Sequence, residues 1–387
     1  MGSFPRTLGP VLCVVGARPN FMKMAPIIRA LSAQADLPRP VLVHTGQHYD
    51  VSMNDRIFSD LELPRPDINL EAGSGSHAAQ TAEIMRRFEP VLDAQQPACL
   101  LVVGDVNSTL ACSLVASKKG IPVAHVEAGL RSFDRAMPEE INRILTDQIA
   151  DVLYTTERSA HENLAREGIP AERVHFVGNV MIDSLLTNRT RAPSPAESMR
   201  HAGASPAAVE DPAGYGVVTL HRPSNVDRAE ALSQALTILR DVGERLPLVC
   251  ALHPRTQQNI ERFGLAHLLD TARLVVLPSL GYLDMLGLMA SAKLVLTDSG
   301  GMQEETTALG VPCLTMRENT ERPITVEQGT NTLVGRDRER ILSVVDEIAR
   351  CGGKRGRVPE LWDGHAAERI AEHLARWLVG REVEAGA

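Results

Sequence analysis

The feature that most constrains this sequence is an alternation, repeated in two stretches, of short apolar runs with longer amphipathic segments. The runs of the first stretch are Val11–Val15, Val41–Thr45, Cys99–Val103, Val123–Val126, Val152–Thr155 and Val174–Val177. Those of the second stretch are Gly216–Leu220, Leu248–Leu252, Leu274–Leu277, Leu294–Thr297 and Cys313–Met316. Apolar strands that alternate with helices are typical of parallel sheets covered on both faces. We therefore predict an α/β protein with two Rossmann-like domains that face a central cleft.

The length of 387 residues fits two domains. Residues 1–186 are predicted to form the N-terminal Rossmann-like domain, and residues 215–363 the C-terminal one. Between them, residues 187–214 are rich in Ala, Pro, Ser and Arg, and we predict a linker region with a helical turn or two. Residues 364–387 contain an amphipathic stretch that we expect to be a helix packing back on the N-terminal domain. In the first half, the segment Met22–Ala35 is expected to be the first helix.

Charge and hydropathy exclude several classes of function. The net charge of −8 gives no basic surface, which disfavours nucleic-acid binding, although a few local cations can still hold a small anion. No run reaches the roughly 18 apolar residues of a membrane span, and the N-terminus lacks the apolar core of a signal peptide. We therefore expect a cytoplasmic protein without a membrane partner.

The sequence also lacks the motifs of common cofactor and metal sites. The turn after the first run, Gly16–Asn20, is not a G-x-G-x-x-G fingerprint, and no Walker motif is present. The six cysteines include no CxxC pair and no cluster at zinc spacing, so we interpret them as small buried residues of a reducing compartment. We expect no nicotinamide, no P-loop nucleotide hydrolysis and no metal.

Polar side chains follow several of the predicted strands. Arg18 and Lys23 follow the first run, Asp105 follows the run that ends at Val103, Glu127 follows Val126, and His221 follows Leu220. Ligands of open parallel sheets bind at the carboxyl ends of the strands. Each residue alone is compatible with a turn or a helix cap. Together they favour one site, because sheets that face each other would bring these groups into one cleft.

The strongest local motif is Asp298–Glu305. A predicted strand enters the turn Ser299, Gly300, Gly301, and a helix starts directly. Backbone N–H groups and the helix dipole favour a phosphate there, and the glycines allow it to approach closely. Glu305, about one turn into the helix, is placed to accept hydrogen bonds from two ribose hydroxyls. The alternative is an ordinary helix N-terminus with acids that compensate the dipole.

The histidines fall into two groups. His221 and His253 lie at strand ends and are candidates for phosphate binding or proton transfer. His125 and His175 lie within strands and are predicted to be core residues with satisfied ring nitrogens. The acids of Pro138–Glu140 open a helix, where the dipole alone accounts for them.

Taken in order along the chain, these residues resemble the non-hydrolysing UDP-N-acetylglucosamine 2-epimerases. The resemblance covers about Val11 to Gly335. The matching blocks are Gly16-Ala17-Arg18-Pro19 with Lys23, Gly104-Asp105, His125-Val126-Glu127-Ala128-Gly129-Leu130-Arg131, Pro138-Glu139-Glu140-x-Asn142-Arg143, Gly178-Asn179, Leu220-His221-Arg222, His253-Pro254, Asp298-Ser299-Gly300-Gly301-x-Gln303-Glu304-Glu305 and Glu321-Arg322-Pro323.

The resemblance implies a glycosyltransferase-B-like fold, a homodimer, and interconversion of UDP-N-acetylglucosamine and UDP-N-acetylmannosamine for cell-envelope polysaccharide synthesis. It places Asp105, Glu127, Glu139 and His221 at catalytic positions, which revises the structural interpretation of Glu139. The residues at its UDP-sugar-binding positions are Arg18, Lys23, Arg143, His253, Ser299, Gly300, Gly301, Glu305 and Arg322. A uracil pocket is expected near Leu280, Tyr282 and Met285.

The family's chemistry accounts for these residue types. The C2 proton is not next to a carbonyl, so the family eliminates UDP across C1–C2 to a 2-acetamidoglucal and adds it back after protonation on the other face. Carboxylates must remove and return the proton, and cations must hold UDP as it leaves. The individual acid and base roles stay open.

Three alternatives share much of this sequence pattern. They are a hydrolysing 2-epimerase that releases UDP and N-acetylmannosamine, a glycosyltransferase of the same fold, and a non-catalytic nucleotide-sugar-binding protein. The sequence departs from the family at Pro223-Ser224 after His221-Arg222, and at Glu71–His77, where some members carry a basic residue for an activating second substrate molecule. Of two further positions, Gln47 is present, but Asp50 stands where those members have an amide side chain. We therefore expect the activator site to be incomplete.

Overall fold

The computed structural model of the protein describes residues 8–46 and 57–386. The chain forms two compact units. The first takes in the chain up to Ser184 and again from Glu360, and the second is Leu185–Pro359. Of the helices that the structure describes, none combines the length and the apolar character that crossing a membrane requires.

The described part of the first unit contains a seven-stranded sheet in which all neighbouring strands are parallel. The strands are β1 (Val11–Val15), β2 (Val41–His44), β3 (Ile68–Asn69), β4 (Cys99–Val103), β5 (Val123–Val126), β6 (Val152–Thr155) and β7 (Val174–Phe176). Their order is β3-β2-β1-β4-β5-β6-β7, so the chain reverses its direction of travel across the sheet between β1 and β4. Ligands of such sheets bind beside this reversal, at the carboxyl ends of the strands.

Helices cover this sheet, and their apolar faces fill its two sides. They are α1 (Arg18–Ser32), α2 (His77–Gln95), α3 (Asn107–Lys118), α4 (Pro138–Ile149) and α5 (Arg158–Arg166), followed by α6 (Val180–Arg189), which begins in this unit and ends in the second. Strands β1 and β4 are buried along their whole length, as expected of parallel strands covered on both faces. In α2, the buried residues Ile84, Phe88 and Leu92 recur at a spacing of four and face the core.

The second unit repeats the design with six parallel strands among its described residues. They are β8 (Gly216–Thr219), β9 (Leu248–Ala251), β10 (Leu274–Leu277), β11 (Leu294–Thr297), β12 (Cys313–Thr315) and β13 (Asn331–Leu333). Their order is β10-β9-β8-β11-β12-β13, so the reversal falls between β8 and β11. This is the counterpart of the β1/β4 position in the first unit.

The helices of the second unit vary in length from four to fifteen residues. They are α7 (Pro195–His201), α8 (Pro223–Val226), α9 (Ala229–Gly243), α10 (Pro254–Arg262), α11 (Tyr282–Ala290), α12 (Gly300–Leu309), α13 (Pro323–Glu327) and α14 (Arg338–Cys351). Helices α8, α10 and α13 each begin with a proline at the first turn, where its missing N–H needs no partner.

The last helix, α15 (Ala366–Gly386), belongs to the first unit and packs against α1. Its first turn is held by Asp183, whose carboxylate accepts hydrogen bonds from the backbone N–H groups of Ala366 (3.2 Å) and Ala367 (2.6 Å). Burial raises the pKa of Asp183 to about 6.

The predicted α/β class with two Rossmann-like halves is confirmed by the two parallel sheets. Several details differ from the sequence predictions. Helix α1 begins at Arg18 rather than at Met22, because Pro19 fits the first turn of a helix. Strands β3 and β13 have only two and three residues, too short for a recognisable alternation. Helix α6 was not predicted.

The segment 187–214, for which we predicted a linker region with a helical turn or two, contains α7. Its Met199 is fully buried and packs with Tyr215 and Val217 in a core cluster of the second unit. His175, predicted to be a core residue, is half-buried instead, because β7 is an edge strand of the sheet; one face of its ring packs against that of His373, with centroids 3.7 Å apart.

Candidate active site

A buried ion pair lies at the carboxyl ends of the central strands of the first unit. Lys23, one turn into α1, pairs with Glu127, which directly follows β5. Their side chains are 5% and 3% exposed. Two charges so far from water persist only when each satisfies the other. The structure thus brings together two of the predicted site residues.

Glu127 adopts an unusual backbone conformation, with φ at +71°. This left-handed region is rare for residues other than glycine, asparagine and aspartate, and it costs about 1–3 kcal/mol. Such strain persists only where the surrounding structure determines it, and it is concentrated at functional sites. The carboxylate of Glu127 is therefore held where it is at the expense of local stability.

Asp105 lies next to this pair, beyond Gly104 at the end of β4. Its carboxylate forms an ion pair with Arg143 of α4, and its backbone carbonyl accepts a hydrogen bond from Asn142 (2.9 Å). The Asp105 side chain is 25% exposed, so it reaches solvent while the Arg143 side chain stays buried. A β-carbon built on Gly104 would lie 3.5 Å from Lys23 Nζ, which shows that Asp105 and the Lys23–Glu127 pair share one small region.

The two acids that open α4 have different surroundings. Glu140 is buried, and its carboxylate accepts hydrogen bonds from the backbone N–H groups of Ser132 (3.0 Å) and Phe133 (2.9 Å) and from Arg143 (2.7 Å). Burial would raise the pKa of Glu140, but these donors hold it below its ordinary value. Glu139 is half-buried at the same helix start. Glu140 thus orients Arg143, while Glu139 stays accessible.

Asn20 ties the first turn to the neighbouring strand, a role that we did not predict. Its side-chain oxygen accepts hydrogen bonds from the N–H groups of Gly16 (3.2 Å) and Ala17 (3.0 Å), and its amide donates to Val103 (3.0 Å). The only signal in the sequence was an amide side chain at the end of the turn Gly16–Asn20. The side chain of Arg18 lies outside the described part of the structure, as do Gln47 and Asp50.

In the second unit, His221 forms a dyad with Asp298. His221 follows β8, and its Nδ1 lies 2.9 Å from a carboxylate oxygen of Asp298, which follows β11. The same carboxylate accepts hydrogen bonds from the backbone N–H groups of His221 (3.0 Å) and Arg222 (2.9 Å) and from Asn225 (3.0 Å). Burial would raise the pKa of Asp298, but His221 and the other donors hold it below its ordinary value.

The dyad places a proton on Nδ1 of His221 and leaves Nε2 available for proton transfer. The His221 side chain is 38% exposed, so Nε2 is not shielded by the core. Asp298 stood in the strongest sequence motif, but we did not predict that it orients His221. The only signal was its position as the last residue before the glycine turn.

His253 lies close to His221, with ring centroids 6.2 Å apart. It caps α10, and its Nδ1 accepts a hydrogen bond from the backbone N–H of Arg255 (3.2 Å). A ring nitrogen that accepts carries no proton, so the proton of the neutral ring lies on Nε2. His253 is therefore set up as a hydrogen-bond donor.

The predicted phosphate turn begins α12. Ser299 is the N-cap residue, and Gly300 and Gly301 form the first turn of the helix. A β-carbon on Gly300 would lie 2.6 Å from Arg322 Nη1 and 2.7 Å from Glu321 Oε1. Only glycine fits there while Arg322 keeps its position. The helix N-terminus and a guanidinium therefore meet at one point, which suits an anion.

Arg322 belongs to a buried charge cluster. Glu321 pairs with Arg322 (2.5 Å), with Arg317 (2.7 Å) and, more distantly, with Arg222 (3.7 Å), and Glu304 pairs with Arg322 Nε (2.9 Å). Burial would raise the pKa of Glu321, but Arg322 and Arg317 hold it well below its ordinary value. These five side chains carry one more positive than negative charge, which favours a bound diphosphate.

The residues predicted to surround uracil are largely part of the core. Leu280 and Tyr282 are buried, and Met285 is partly buried against the same core cluster as Leu280. Burial, and then the nearby Glu305 carboxylate, raise the pKa of Tyr282. Tyr282 thus connects this segment to Glu305, which we predicted to contact the ribose.

The structure thus gathers the predicted residues into two groups, one in each unit. In the first unit, Lys23, Asp105, Glu127 and Arg143 come together around Gly104. In the second, His221 lies beside His253, and Gly300 lies beside Arg322. In the part of the chain that the structure describes, no three His, Cys, Asp or Glu side chains are arranged to hold a metal ion.

Comparison with known proteins identifies, over most of the chain, the epimerase family that the sequence motifs resemble. The family model described as UDP-N-acetylglucosamine 2-epimerase matches residues 29–375. A UDP-N-acetylglucosamine 2-epimerase of Methanococcus maripaludis is 41% identical over 340 residues, which cover 87% of this chain and 91% of that protein. A UDP-2,3-diacetamido-2,3-dideoxy-D-glucuronate 2-epimerase of Pseudomonas aeruginosa is 40% identical over 378 residues, which cover 95% and 99%.

The fold is similar to that of a solved epimerase. The crystal structure of Methanocaldococcus jannaschii UDP-GlcNAc 2-epimerase in complex with UDP-GlcNAc and UDP superposes with a TM-score of 0.87. It is 40% identical in sequence, and the match covers 95% of this chain and 99% of that one. This likeness confirms the predicted glycosyltransferase-B-like, two-domain α/β fold.

Proposed function

Because this chain belongs to the UDP-N-acetylglucosamine 2-epimerase family, we propose that it interconverts UDP-N-acetylglucosamine and UDP-N-acetylmannosamine without net hydrolysis. The observation that carries the proposal is the buried Lys23–Glu127 pair beside Asp105, at the carboxyl ends of β4 and β5. Inversion at C2 needs carboxylates that remove and return a proton, and this group supplies them.

The reaction proceeds by elimination and re-addition. The C2–H bond and the C1–O bond to UDP break, the C1=C2 double bond of a 2-acetamidoglucal forms, and a carboxylate takes the proton. A proton then returns to C2 from the opposite face, and a UDP oxygen forms the bond to C1 again. The proton donor and acceptor come from Asp105, Glu127, Glu139 and His221, which we propose as the catalytic residues.

The second unit holds UDP while it is detached from the sugar. The N–H groups of Gly300 and Gly301 and the excess positive charge around Arg322 stabilise the leaving diphosphate. His253 donates from Nε2. This retention is what separates epimerisation from hydrolysis, because UDP that stays bound can add back to the sugar.

The remaining contacts follow from the predicted positions. Glu305 binds the ribose hydroxyls, and the segment from Leu280 to Met285 contacts uracil. Arg18 and Lys23 contribute positive charge from the first unit.

Proton NMR of UDP-N-acetylglucosamine incubated with the protein in deuterium oxide tests the proposal. We expect UDP-N-acetylmannosamine to appear, deuterium to enter at C2 of both sugars, and no net release of UDP. Net UDP release would identify a hydrolysing 2-epimerase. Absence of C2 exchange without an acceptor would contradict the epimerase and leave a glycosyltransferase or a non-catalytic nucleotide-sugar-binding protein.

A second substrate should be tested in the same assay. The Pseudomonas aeruginosa relative named for UDP-2,3-diacetamido-2,3-dideoxy-D-glucuronate is about as similar in sequence to this chain as the relatives named for UDP-N-acetylglucosamine. Both substrates carry a 2-acetamido group and have UDP bound at C1 as the leaving group, so the same carboxylates can act on either. We propose UDP-N-acetylglucosamine as the preferred substrate. A larger kcat/KM for the diacetamido glucuronate would overturn that choice and leave the C2 chemistry intact.

We also propose a homodimer, as the family resemblance implies. The first unit exposes the apolar side chains of Ile141 and Leu145, four residues apart on α4, and that of Phe133 in the segment that precedes this helix. Such a group suits a protein contact. Sedimentation analysis of Leu145→Glu should show a smaller species than the wild type. The matched control Val358→Glu, at another exposed apolar residue, should not; equal masses for all three proteins would exclude this surface.

A further inference from the structure

The ring of His125 faces two hydrogen-bond acceptors. His125 lies in β5 and is fully buried. Its Nδ1 lies 2.7 Å from an Asp147 carboxylate oxygen, and its Nε2 lies 2.8 Å from the backbone carbonyl oxygen of Gly104. A carbonyl oxygen cannot donate, and neither can an ionised carboxylate. Both ring nitrogens therefore carry protons, provided that Asp147 is ionised.

Asp147, on α4, is ionised because cations and donors surround it. Burial would raise its pKa, but His125 and Arg131 hold the pKa of Asp147 below its ordinary value. Its second oxygen lies 2.7 Å from the Arg131 guanidinium and accepts a hydrogen bond from the backbone N–H of Gly129 (3.0 Å). Arg131 also pairs with Glu167 (2.6 Å). The four side chains form a neutral cluster of two cations and two anions.

This cluster holds the backbone on both sides of Glu127 and on one side of Asp105. His125 and Gly129 lie two residues before and two residues after Glu127, and both bind Asp147. The strained turn at Glu127 is thus fixed at both ends by one carboxylate. At the same time, Nε2 of His125 fixes the carbonyl of Gly104, the residue before Asp105.

We propose that His125 is a positioning residue: a doubly protonated, buried imidazolium that, with Asp147, holds Asp105 and Glu127 in the geometry that proton transfer needs. The assignment rests on the proposed function for its catalytic consequence, but the protonation of the ring does not. His125 does not touch the reacting atoms. It acts through the backbone of Gly104 and of the turn from Glu127 to Gly129.

The ring protonation is tested without any assay of activity. Nitrogen-15 NMR of histidine-labelled protein, with the His125 signals identified by their loss in His125→Asn, should show both ring nitrogens protonated at pH 7. One unprotonated ring nitrogen at pH 7 would overturn the proposal. This holds even if neither UDP-sugar is epimerised, so a failure of the proposed function remains distinguishable.

Two amide variants separate the contributions of the two ring hydrogen bonds, to Asp147 and to Gly104. The amide nitrogen of Asn lies near the position of Nδ1 and can still donate to Asp147, whereas that of Gln lies near Nε2 and can still donate to Gly104. Neither supplies both bonds or the charge. We expect each variant to lose about 100-fold in kcat, because small misplacements of reactive groups have effects of this size, with KM changed less than about threefold.

The matched control is His175→Gln, which removes a half-buried histidine of the same sheet outside this cluster. It should keep kcat within about threefold of the wild type. Calorimetric binding of UDP should be unchanged in all three variants, and circular dichroism with a cooperative thermal transition verifies that the first unit, which contains both histidines, is folded. A folded His125→Asn or His125→Gln with wild-type kcat would contradict the positioning role, and a rise in KM with kcat unchanged would contradict it equally.

Discussion

The two units end the central strands of similar sheets with opposite kinds of chemical group. In the first unit, β4 and β5 lead into the carboxylates of Asp105 and Glu127, and the nearby cations neutralise them. In the second, β11 leads into the glycine turn at Gly300, against a cluster with excess positive charge around Arg322. The same topology therefore presents carboxylates in one place, which we propose as acid–base groups, and in the other a glycine turn beside a guanidinium, which we propose as an anion site.

The units also make room for these groups in different ways. The first places a full side chain in a left-handed backbone conformation at Glu127 and stabilises it with surrounding hydrogen bonds. The second omits the side chain altogether, since a β-carbon on Gly300 would collide with Arg322. A proton-transfer group must be present and held in place, whereas a phosphate needs backbone N–H groups without a side chain in the way.

The largest effect should come from Glu127→Gln, which removes a carboxylate that we propose as a proton acceptor of the first unit. We expect kcat to fall by about 10³-fold or more, within the range of general acid–base catalysis. UDP affinity should change little, because the glycine turn is intact. Deuterium exchange at C2 and calorimetry with UDP measure the two quantities. Glu172→Gln, at an exposed carboxylate, is the control.

The same variant leaves Lys23 as a buried charge without its partner, which destabilises proteins by about 3–5 kcal/mol. The double variant Lys23→Met, Glu127→Gln removes both charges and should recover much of that stability. It should not recover turnover. If the double variant regains activity together with stability, Glu127 is structural, and the contrast between the units fails.

Next in size is Asp298→Asn, which tests the acid–base group that lies in the second unit. An amide can donate toward His221 and so favours the wrong ring tautomer, and we expect kcat to fall about 100-fold with little change in KM. Asp298 has its pKa held below the ordinary value, so it stays ionised in neutral and mildly acid solution. If the rate of the wild type falls as the pH drops just below neutrality, the group responsible is therefore not Asp298. Loss of that pH dependence in Asp298→Asn would contradict this assignment.

Gly300→Ala tests the anion site directly. The added β-carbon displaces the Arg322 guanidinium, so we expect KM and the dissociation constant of UDP to rise about 10–100-fold, with a smaller change in kcat. The control Gly380→Ala lies on an exposed face of α15 with open space around it, and it should be neutral or slightly stabilising. Unchanged UDP affinity in Gly300→Ala would remove the turn from the binding site.

Sequence patterns sufficed for the two sheets and for the turns that follow their strands, because both are local properties of the chain. They did not suffice for the residues that hold the site in place. Asp147 binds Gly129 across 18 positions, and Asp298 binds His221 across 77. Hydrogen bonds between residues so far apart in sequence depend on which strands become neighbours, and a short segment of sequence does not determine that. Glu140 was missed for a different reason: its partners lie only three to eight residues away, but its position at a helix start made its carboxylate look like ordinary compensation of a helix dipole.

The strand order, and with it the two reversals, was not predicted from the sequence. An alternation of runs predicts parallel strands, but it does not state that β1 neighbours β4 or that β8 neighbours β11. Short edge strands such as β3 carry too few residues for a pattern. The predicted domain boundaries and the cleft stay predictions.

The smallest expected effect compares two buried aspartates that both accept backbone N–H groups. Asp298 also faces His221, and its pKa is lowered, whereas burial raises the pKa of Asp183 from 3.8 to about 6. Between these pH values the unfolded chain releases a proton that the folded protein keeps. Stability therefore falls as the pH rises through this window and stays lower above it.

Asp183→Asn removes this loss and keeps a side chain that can cap α15. We expect the variant to be more stable than the wild type by about 1–2 kcal/mol at pH 7.5, below the upper limit that the pKa shift implies, since an amide accepts less strongly than a carboxylate. At pH 4 the difference should vanish. Thermal unfolding midpoints at the two pH values test this, with exposed Asp36→Asn as control. A variant equally or less stable at pH 7.5 would mean that the N–H groups of α15 stabilise the Asp183 carboxylate as fully as His221 stabilises that of Asp298.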